Sequence, residues 1–552
     1  MKFAALIACS LLALTAQAVS VPEVAASFEA NLAFGSPFAN VPELAIKPSP
    51  HHFEHVLAKR AATAATVRFP YGIASGDPLS NALILWTKVE PSVTSAPVPV
   101  SWEIAVDAAF TNVVGRGSVL TTDDIDWTVK VDATGLAPLK QHWYRFTSQG
   151  TVSPVGSART LPAAETAVDH VRLASVSCSN MPHGFFHAYA RITDRVKAGD
   201  VDLVLELGDY VYDQAPTTTI QSGRLGGDRA PQPMTNTVTL ADYRLRHSQY
   251  KRDPDAQAMH AVVAMIAIMD DHELVDNANK DNSHEHDPKT QGPFSVRRAA
   301  AVRAWHEYMP VRSLPDVYHI YRDFQYGTLA HIVFPDTRIE ARDSQAVGDR
   351  NTRRMMSDEQ QQWFHAKLSE PAQWRVIANQ VMMAPIPESI PVVGKEIEMT
   401  ADTWNGYPRN RNGLFNHVAN NRLNNTLVLT GDFHASLVSN LFVEGSKYDK
   451  STGNGAIMVE FVGPSVTSQT VAQDRKWASE LIKPAMSLVN AGYQWGDFYR
   501  HGYMVLDLTP GRARNEYYYM DNVKVTTGGS ETKGAVFEIA SGANKVTKAY
   551  FP

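Results

Sequence analysis

The sequence predicts a mixed α/β protein built on a covered, largely parallel sheet and preceded by a small all-β module. Three observations carry that expectation. Apolar runs at 201–207, 261–269 and 426–430 have the unbroken Val, Leu, Ile and Met content of strands buried on both faces. These runs alternate with segments of helical periodicity, the pattern of strand–helix–strand units. Residues 66–162 lack that alternation and carry short β-branched and aromatic runs between Gly, Pro and Asp turns.

At 552 residues the chain exceeds the usual single-domain range, so two domains plus processed segments are expected. Hydrophobic content of 44% and charged content of 20% suit a globular chain with a large core. A formal net charge of -6 leaves no basic footprint for a nucleic-acid backbone. Residues 1–18 start Met1-Lys2-Phe3, stay apolar to Leu14 and end Ala16-Gln17-Ala18, the make-up of a secretory signal peptide. No other stretch reaches the ~18 apolar residues of a membrane span. A secreted product, extracellular or wall-associated and without a transmembrane segment, is therefore expected. Residues 19–60 are Ala/Pro-rich and form a candidate pro-segment. Their terminal Lys59-Arg60 reads equally as a processing site and as a solvated surface pair.

Of the two cysteines, Cys9 falls in the signal peptide, leaving Cys178 as the single thiol of the mature chain. No intramolecular disulfide can then form. A lone thiol in an oxidising compartment is either buried and inert or bound to something.

Within 66–162, Ile73-Ala74-Ser75-Gly76-Asp77-Pro78 turns into Ala82-Leu83-Ile84-Leu85-Trp86-Thr87. Trp102-Glu103-Ile104-Ala105-Val106 and Trp143-Tyr144-Arg145-Phe146 follow. Runs of this length and spacing suggest a sandwich of the immunoglobulin sort. No cluster of His, Asp or Glu there would carry chemistry. From 168 to 552 a second domain is expected. It has strands at 171–178, 201–207, 261–269, 329–334, 374–383 and 426–430, and helices at 185–197, 240–250, 296–308 and 357–368. Further short strands beyond Tyr503 close its edge.

Ligands of such sheets gather at the carboxyl ends of strands. There the sequence reads Gly208-Asp209-x-x-Tyr212, Asp270-Asp271-His272-Glu273 and Gly431-Asp432-Phe433-His434. Each apolar run stops at oxygen and nitrogen ligands rather than at ordinary turn residues. Hard oxygen and borderline nitrogen donors at several strand ends suit a centre of two or three metal ions. Asp432 and His434, two apart, are expected on extended backbone with both side chains to one side. Asp271 and His272 are adjacent and point differently, so one is a ligand and the other a phosphate-facing or acid/base group. Cys178 ends a fourth strand. Tyr212 reads as a phenolate ligand or as an aromatic packed at the sheet mouth.

These motifs, with Asp336-Thr337-Arg338, Tyr243-Arg244-x-Arg246 and Glu460-Phe461-Val462-Gly463-Pro464-Ser465, resemble the PhoD-like alkaline phosphatase/phosphodiesterase family. That family has the calcineurin-like metallophosphoesterase fold, a four-layer sheet sandwich. The resemblance spans about residues 68 to 510. It implies a ferric ion held by Cys178, Asp209, Tyr212 and His434, with Asp209 bridging to calcium and Asp271 and Asp432 completing the metal set. Other divalent metals fit the same donors. His272 and Arg338 are the implied catalytic candidates. The Arg338 fork pairs either with substrate phosphate or with a core carboxylate. The implied activity is alkaline phosphatase, with phosphodiesterase activity beside it, on small phosphoesters by in-line attack of a metal-bound oxygen nucleophile. A phospholipase D-type phosphodiesterase is the alternative among enzymes, and a non-catalytic secreted binding protein the alternative of another class. Two departures stand out. Met269 replaces a Trp frequent before Asp-Asp-His-Glu, and Asn405 stands where the family has Asp in Trp-Asp-Gly-Tyr. The contribution of Asn277 stays open.

Overall fold

The structure is a computed structural model that describes residues 28–34, 66–92, 97–215, 225, 227–314, 316–345, 348–386, 389–392, 395–398, 402–526 and 529–552. The expected signal peptide and almost all of the candidate pro-segment, with Lys59-Arg60, lie outside the described residues.

Two large mixed sheets carry the fold, and each has a parallel centre flanked by antiparallel strands. In the ten-stranded sheet the parallel strands are β1 (Val171–Val176), β2 (Leu203–Glu206) and β3 (Ala264–Ala267), joined by Ile73–Gly76 from the N-terminal region. In the seven-stranded sheet they are β4 (Ala330–Phe334), β5 (Trp374–Asn379), β6 (Thr426–Thr430) and β7 (Met458–Val462). The C-terminal strands Gly502–Thr509, Arg512–Met520, Glu531–Ala540 and Lys548–Tyr550 extend the first sheet antiparallel beyond β1.

Every residue of β2, β3, β4, β6 and β7 is buried, as their unbroken apolar runs require. Alternate residues of the second sheet serve two cores. Ile332, Val376, Leu427 and Leu429 share a cluster with Val204, Leu205 and Ile266 of the first sheet. Val333, Ile377 and Val428 pack instead with Phe364, Leu414 and Ile482. Those three lie on helices Asp358–Ser369, Pro408–Asn420 and Lys476–Val489, of which the last two were not foreseen.

The 261–269 run is not one strand. Helix Pro254–Val262 occupies its start, and β3 is only Ala264–Ala267. The cause is local: Asp253 caps the helix, accepting the N–H groups of Asp255 and Ala256, and Pro254 sits in the first turn.

The N-terminal strands do not stand apart from the central sheet. Ala264 and Met265 of β3 pair with Ser75 and Gly76, so Ile73–Gly76, Ala82–Lys88 and Thr128–Thr134 prolong the ten-stranded sheet. Val98–Ala105, Val113–Thr121, Gln141–Ser148, Thr151–Val152 and Gly156–Arg159 form a separate five-stranded sheet. The Gly76-Asp77 pair explains the join. A Cβ on Gly76 would lie 2.3 Å from the Pro310 carbonyl and 2.5 Å from that of Met265, so only glycine fits. Asp77, fully buried, receives two Arg322 hydrogen bonds of 3.0 and 2.9 Å.

Candidate metal centre

The ends of β1, β2 and β3 meet the end of β6 where the two sheets adjoin. Backbone bonds lace them: Cys178 N–H donates to Gly208 O (3.2 Å) and Ser179 N–H to Asp209 O (3.0 Å). Gln380, just past β5, donates to the Met269 carbonyl of the other sheet (3.1 Å). The glycines of both Gly-Asp motifs are fixed by close packing. A Cβ on Gly208, whose φ is +110°, would sit 2.3 Å from the Asp270 Cβ. One on Gly431 would sit 2.9 Å from the Ser177 Cβ.

Cys178, Asp209, Asp432 and His434 all have left-handed backbone, with φ of 62°, 58°, 61° and 50°. The expectation of extended backbone for Asp432 and His434 is therefore incorrect. In this region the chain reverses directly after the strand, which returns each side chain over the sheet ends. Such conformations cost roughly 1–3 kcal/mol apiece for residues with a Cβ and gather at functional sites. Asp and His accept the left-handed region more readily than Cys does.

Two groups of ligand atoms result, each mutually within 4.8 Å: Cys178, Asp209 and His434, and Asp209, Asp270, Asp271 and Asp432. Asp432 and His434 do not share one group. Asp209 belongs to both groups.

Tyr212 joins the first group, its hydroxyl 2.9 Å from Asp209 Oδ2 and 3.1 Å from His434 Nε2. His434 Nδ1 lies 3.0 Å from the Gln469 carbonyl. A carbonyl only accepts, so the ring proton is on Nδ1 and the Nε2 lone pair faces the cluster. Burial lowers the His434 pKa to about 4, which keeps the ring neutral. Burial, and then the Asp209 charge, raises the Cys178 thiol well above its ordinary range.

The second group is a concentration of buried acid. Asp270 Oδ2 and Asp271 Oδ1 are buried and make no hydrogen bond. Burial first, and then neighbouring carboxylates, raises Asp209, Asp270 and Asp432 well above the usual carboxylate range. Arg338 opposes this. Fully buried, it bonds to Asp270 and Asp402 (2.7 Å) and lies 3.3 Å from Asp271 and 3.5 Å from Asp432. Of the two expected roles for Arg338, the structure thus has the carboxylate-tied one. The guanidinium lies among the acids rather than open to substrate. Arg338, with Arg342 on Asp402 alone (2.6 Å), still leaves the group short of positive charge, the condition a bound metal ion relieves. A thiol, phenol, imidazole and carboxylate on one side suit a transition-metal ion, and carboxylates alone on the other suit a hard divalent ion. The residues present fit a bound metal centre.

His272 is held on the outer side. Its backbone N–H points to Asp209 Oδ1 (3.3 Å), its Nδ1 lies 2.8 Å from Asp213 Oδ1, and its ring stacks on Tyr212 at 4.1 Å. Asp213 is in turn 3.3 Å from Arg297. Against the effect of burial, the charges of Asp271 and Asp209 and the bond to Asp213 raise the His272 pKa well above its ordinary value. Glu273 is structural: its carboxylate accepts the N–H groups of Asp209 (3.1 Å), Val211 (3.3 Å) and Asp270 (2.7 Å), fixing the β2 and β3 ends together.

Asp270, which the sequence reading left out of the metal set, belongs to the acid group. Asp213 and Asp402 were missed as partners of His272 and Arg338. Asp213 directly follows Tyr212, and Asp402 opens the Asp-x-Trp-x-Gly-Tyr stretch, so both stood beside recognised motifs. Asn277 has left-handed backbone (φ 52°) and donates its N–H to Asp271 Oδ2 (2.6 Å). With its amide nitrogen toward Asp402, it reaches those oxygens at 3.0 and 3.1 Å. Asn405 is turned away, donating to Ile386 O (2.8 Å) and accepting from Arg411.

Known proteins resemble this chain over most of its length. The model of the PhoD-like phosphatase family matches residues 173–517, and that of the PhoD-like phosphatase N-terminal domain matches 56–162. Alkaline phosphatase D of Bacillus subtilis (strain 168) is 35% identical over 477 residues, covering 82% of this chain and 77% of that protein. A solved structure of PhoD superposes with a TM-score of 0.78 at 32% identity, covering 88% of this chain and 92% of that one.

Proposed function

The chain belongs to the PhoD-like phosphatase family, and from that premise we propose that it is a secreted alkaline phosphatase and phosphodiesterase. In this reading a ferric ion is held by Cys178, Asp209, Tyr212 and His434. Calcium, or another hard divalent ion, is held by Asp209, Asp271 and Asp432, with Asp270 beside them. The observation that carries it is the pair of chemically different ligand groups joined by one carboxylate, Asp209. The four-layer sandwich, the immunoglobulin-like form of 66–162 and the boundary before 168 belong to the same proposal. Secretion rests on the composition of residues 1–18. Among the described residues no helix is long and apolar enough to cross a membrane.

When bound, the metal ions supply charge neutralisation at phosphoryl oxygens and acidify coordinated water. The protein's own residues have distinct tasks. Asp209 keeps the two ligand groups in register. Arg338 holds Asp270, Asp271, Asp402 and Asp432 against their mutual repulsion, acting as a positioning residue rather than as a phosphate clamp. Tyr212 carries a phenol between Asp209 and His434 and supports the His272 ring by stacking. His272, its Nδ1 tied to Asp213, offers Nε2 as the atom that hands a proton to the departing oxygen.

Metal analysis of the mature protein, together with turnover of an aryl phosphate, a bis-aryl phosphate and phosphatidylcholine, tests the proposal. Iron with calcium and hydrolysis of the first two substrates are expected. Preference for phosphatidylcholine would favour the phospholipase D-type reading. Full activity in a colourless, iron-free preparation would refute the metal assignment.

A further inference from the structure

The chain holds one Asn-x-Ser/Thr triplet, Asn424-Asn425-Thr426, the acceptor sequence for N-linked glycans. It lies in the turn between helix Pro408–Asn420 and β6, where Arg422 and Asn425 take left-handed backbone with φ of 52° and 61°. That turn buries one asparagine and exposes the other. Asn425 is buried and structural: its Nδ2 donates to Gln373 O (2.9 Å) and Ser541 Oγ (3.1 Å), and its Oδ1 accepts the Gly542 N–H (2.6 Å). Asn424 is exposed.

A relay of hydrogen bonds fixes which end of the Asn424 amide is engaged. The backbone N–H of Asn425 can only donate, and it points to Asn544 Oδ1 (2.8 Å). Asn544 must therefore turn its Nδ2 toward Asn424, 2.7 Å away, and Asn424 must answer with Oδ1. Asn424 Nδ2, the atom that carries the sugar in an N-glycan, then has no hydrogen bond among the described residues. A glycosylated amide keeps its carbonyl, so the bond from Asn544 survives the modification.

Thr426 sets the order of events. Reading the triplet requires its third residue, yet Thr426 is 1% exposed and its hydroxyl donates to Leu423 O (2.7 Å). In the folded chain the acceptor amide is open while the recognition residue is closed.

We propose that Asn424 is an N-glycosylation site, modified while the chain is extended and before β6 joins its sheet. The donor is a polyprenyl-pyrophosphate-linked oligosaccharide that ends in N-acetylglucosamine. Asn424 Nδ2 gives up a proton and bonds to the anomeric carbon, whose C–O bond to the pyrophosphate breaks. The lipid pyrophosphate leaves with that electron pair. The glycan and the metal centre stand at opposite ends of β6, whose five residues span roughly 17 Å.

The modification rests on the secretion reading, so the full chain is expressed in a glycosylating eukaryotic host in two forms. One keeps its own residues 1–18, and the other carries a signal peptide of the host in their place. Mass before and after treatment with peptide N-glycosidase reads the glycan. Protein from the medium is expected to lose mass on treatment, with deamidation mapped to Asn424, and Asn424→Gln to lose none. Folded protein made in the cytosol should stay unmodified when mixed with the host's oligosaccharyltransferase and its lipid-linked donor. Modification there would overturn the order of events. A secreted chain without glycan, in the form carrying the host signal, would overturn the site, as would a glycan that persists in Asn424→Gln. Retention of the native form inside the cell, with glycan on the other form, would leave the site standing and sink the secretion reading alone.

Discussion

The two ligand groups at the centre share Asp209 and little else. One gathers sulfur, phenol, imidazole and carboxylate from β1, β2 and β6. The other gathers carboxylates alone and needs Arg338 as its counter-ion. Their difference shows one fold edge bringing together two ligand groups of unlike chemistry. The first group is made of donors that stay neutral when buried: the His434 pKa is low, and those of Cys178 and Tyr212 are high. It tolerates burial without a cation. The second is an accumulation of acid in which burial and neighbouring carboxylates hold Asp270 and Asp432 against ionisation, while Arg338 and His272 keep Asp271 ionised against its burial.

Mutations can break this comparison at graded cost. Asp209→Asn removes the shared carboxylate, so both metals should be lost and aryl phosphate turnover should fall on the order of 10³-fold or more. Retention of either metal at full stoichiometry would argue against sharing. Cys178→Ser should divide the two groups. Iron content and any visible absorption fall while calcium is retained, and turnover drops by roughly 10²-fold. Asp432→Asn is the converse, expected to reduce calcium and leave iron in place. Arg338→Met leaves buried acids without their partner, which should destabilise the metal-free protein by about 3–5 kcal/mol. Calcium should offset part of that loss, and denaturant unfolding with and without calcium checks it. The smallest effect is expected from Asn405→Ala. Both ends of that side chain are engaged away from the centre, so metal content should not change and turnover should stay within about threefold.

Much of this was legible in the sequence for a physical reason. A strand buried on both faces has no cause to end in Gly-Asp or Asp-Asp-His unless the acid is used, so β2, β3 and β6 announced the centre. Cys178 was legible because a lone thiol at the end of a buried strand, in a chain read as secreted, needs an explanation. What escaped reading depends on packing in three dimensions. The role of Arg338 rests on Asp402, distant in sequence, and that of His272 on Asp213 and Arg297. Asp270 and Asp271 are chemically alike in sequence, and only the approach of Arg338 and Gly208 shows that Asp270 also enters the acid group. The left-handed backbone at Cys178 was invisible too, since that residue type does not favour it. Helix Pro254–Val262 was masked by an apolar run continuing into β3, although its Asp-Pro start was readable.

The central claim is that two unlike cation sites share one carboxylate, and anomalous X-ray diffraction at the iron absorption edge tests it most directly. One strong iron peak is expected among Cys178, Asp209, Tyr212 and His434, with none at the cluster of Asp270, Asp271 and Asp432, where a calcium-sized ion should sit. Iron peaks of equal height in both groups, or none in a fully active crystal, would contradict the account.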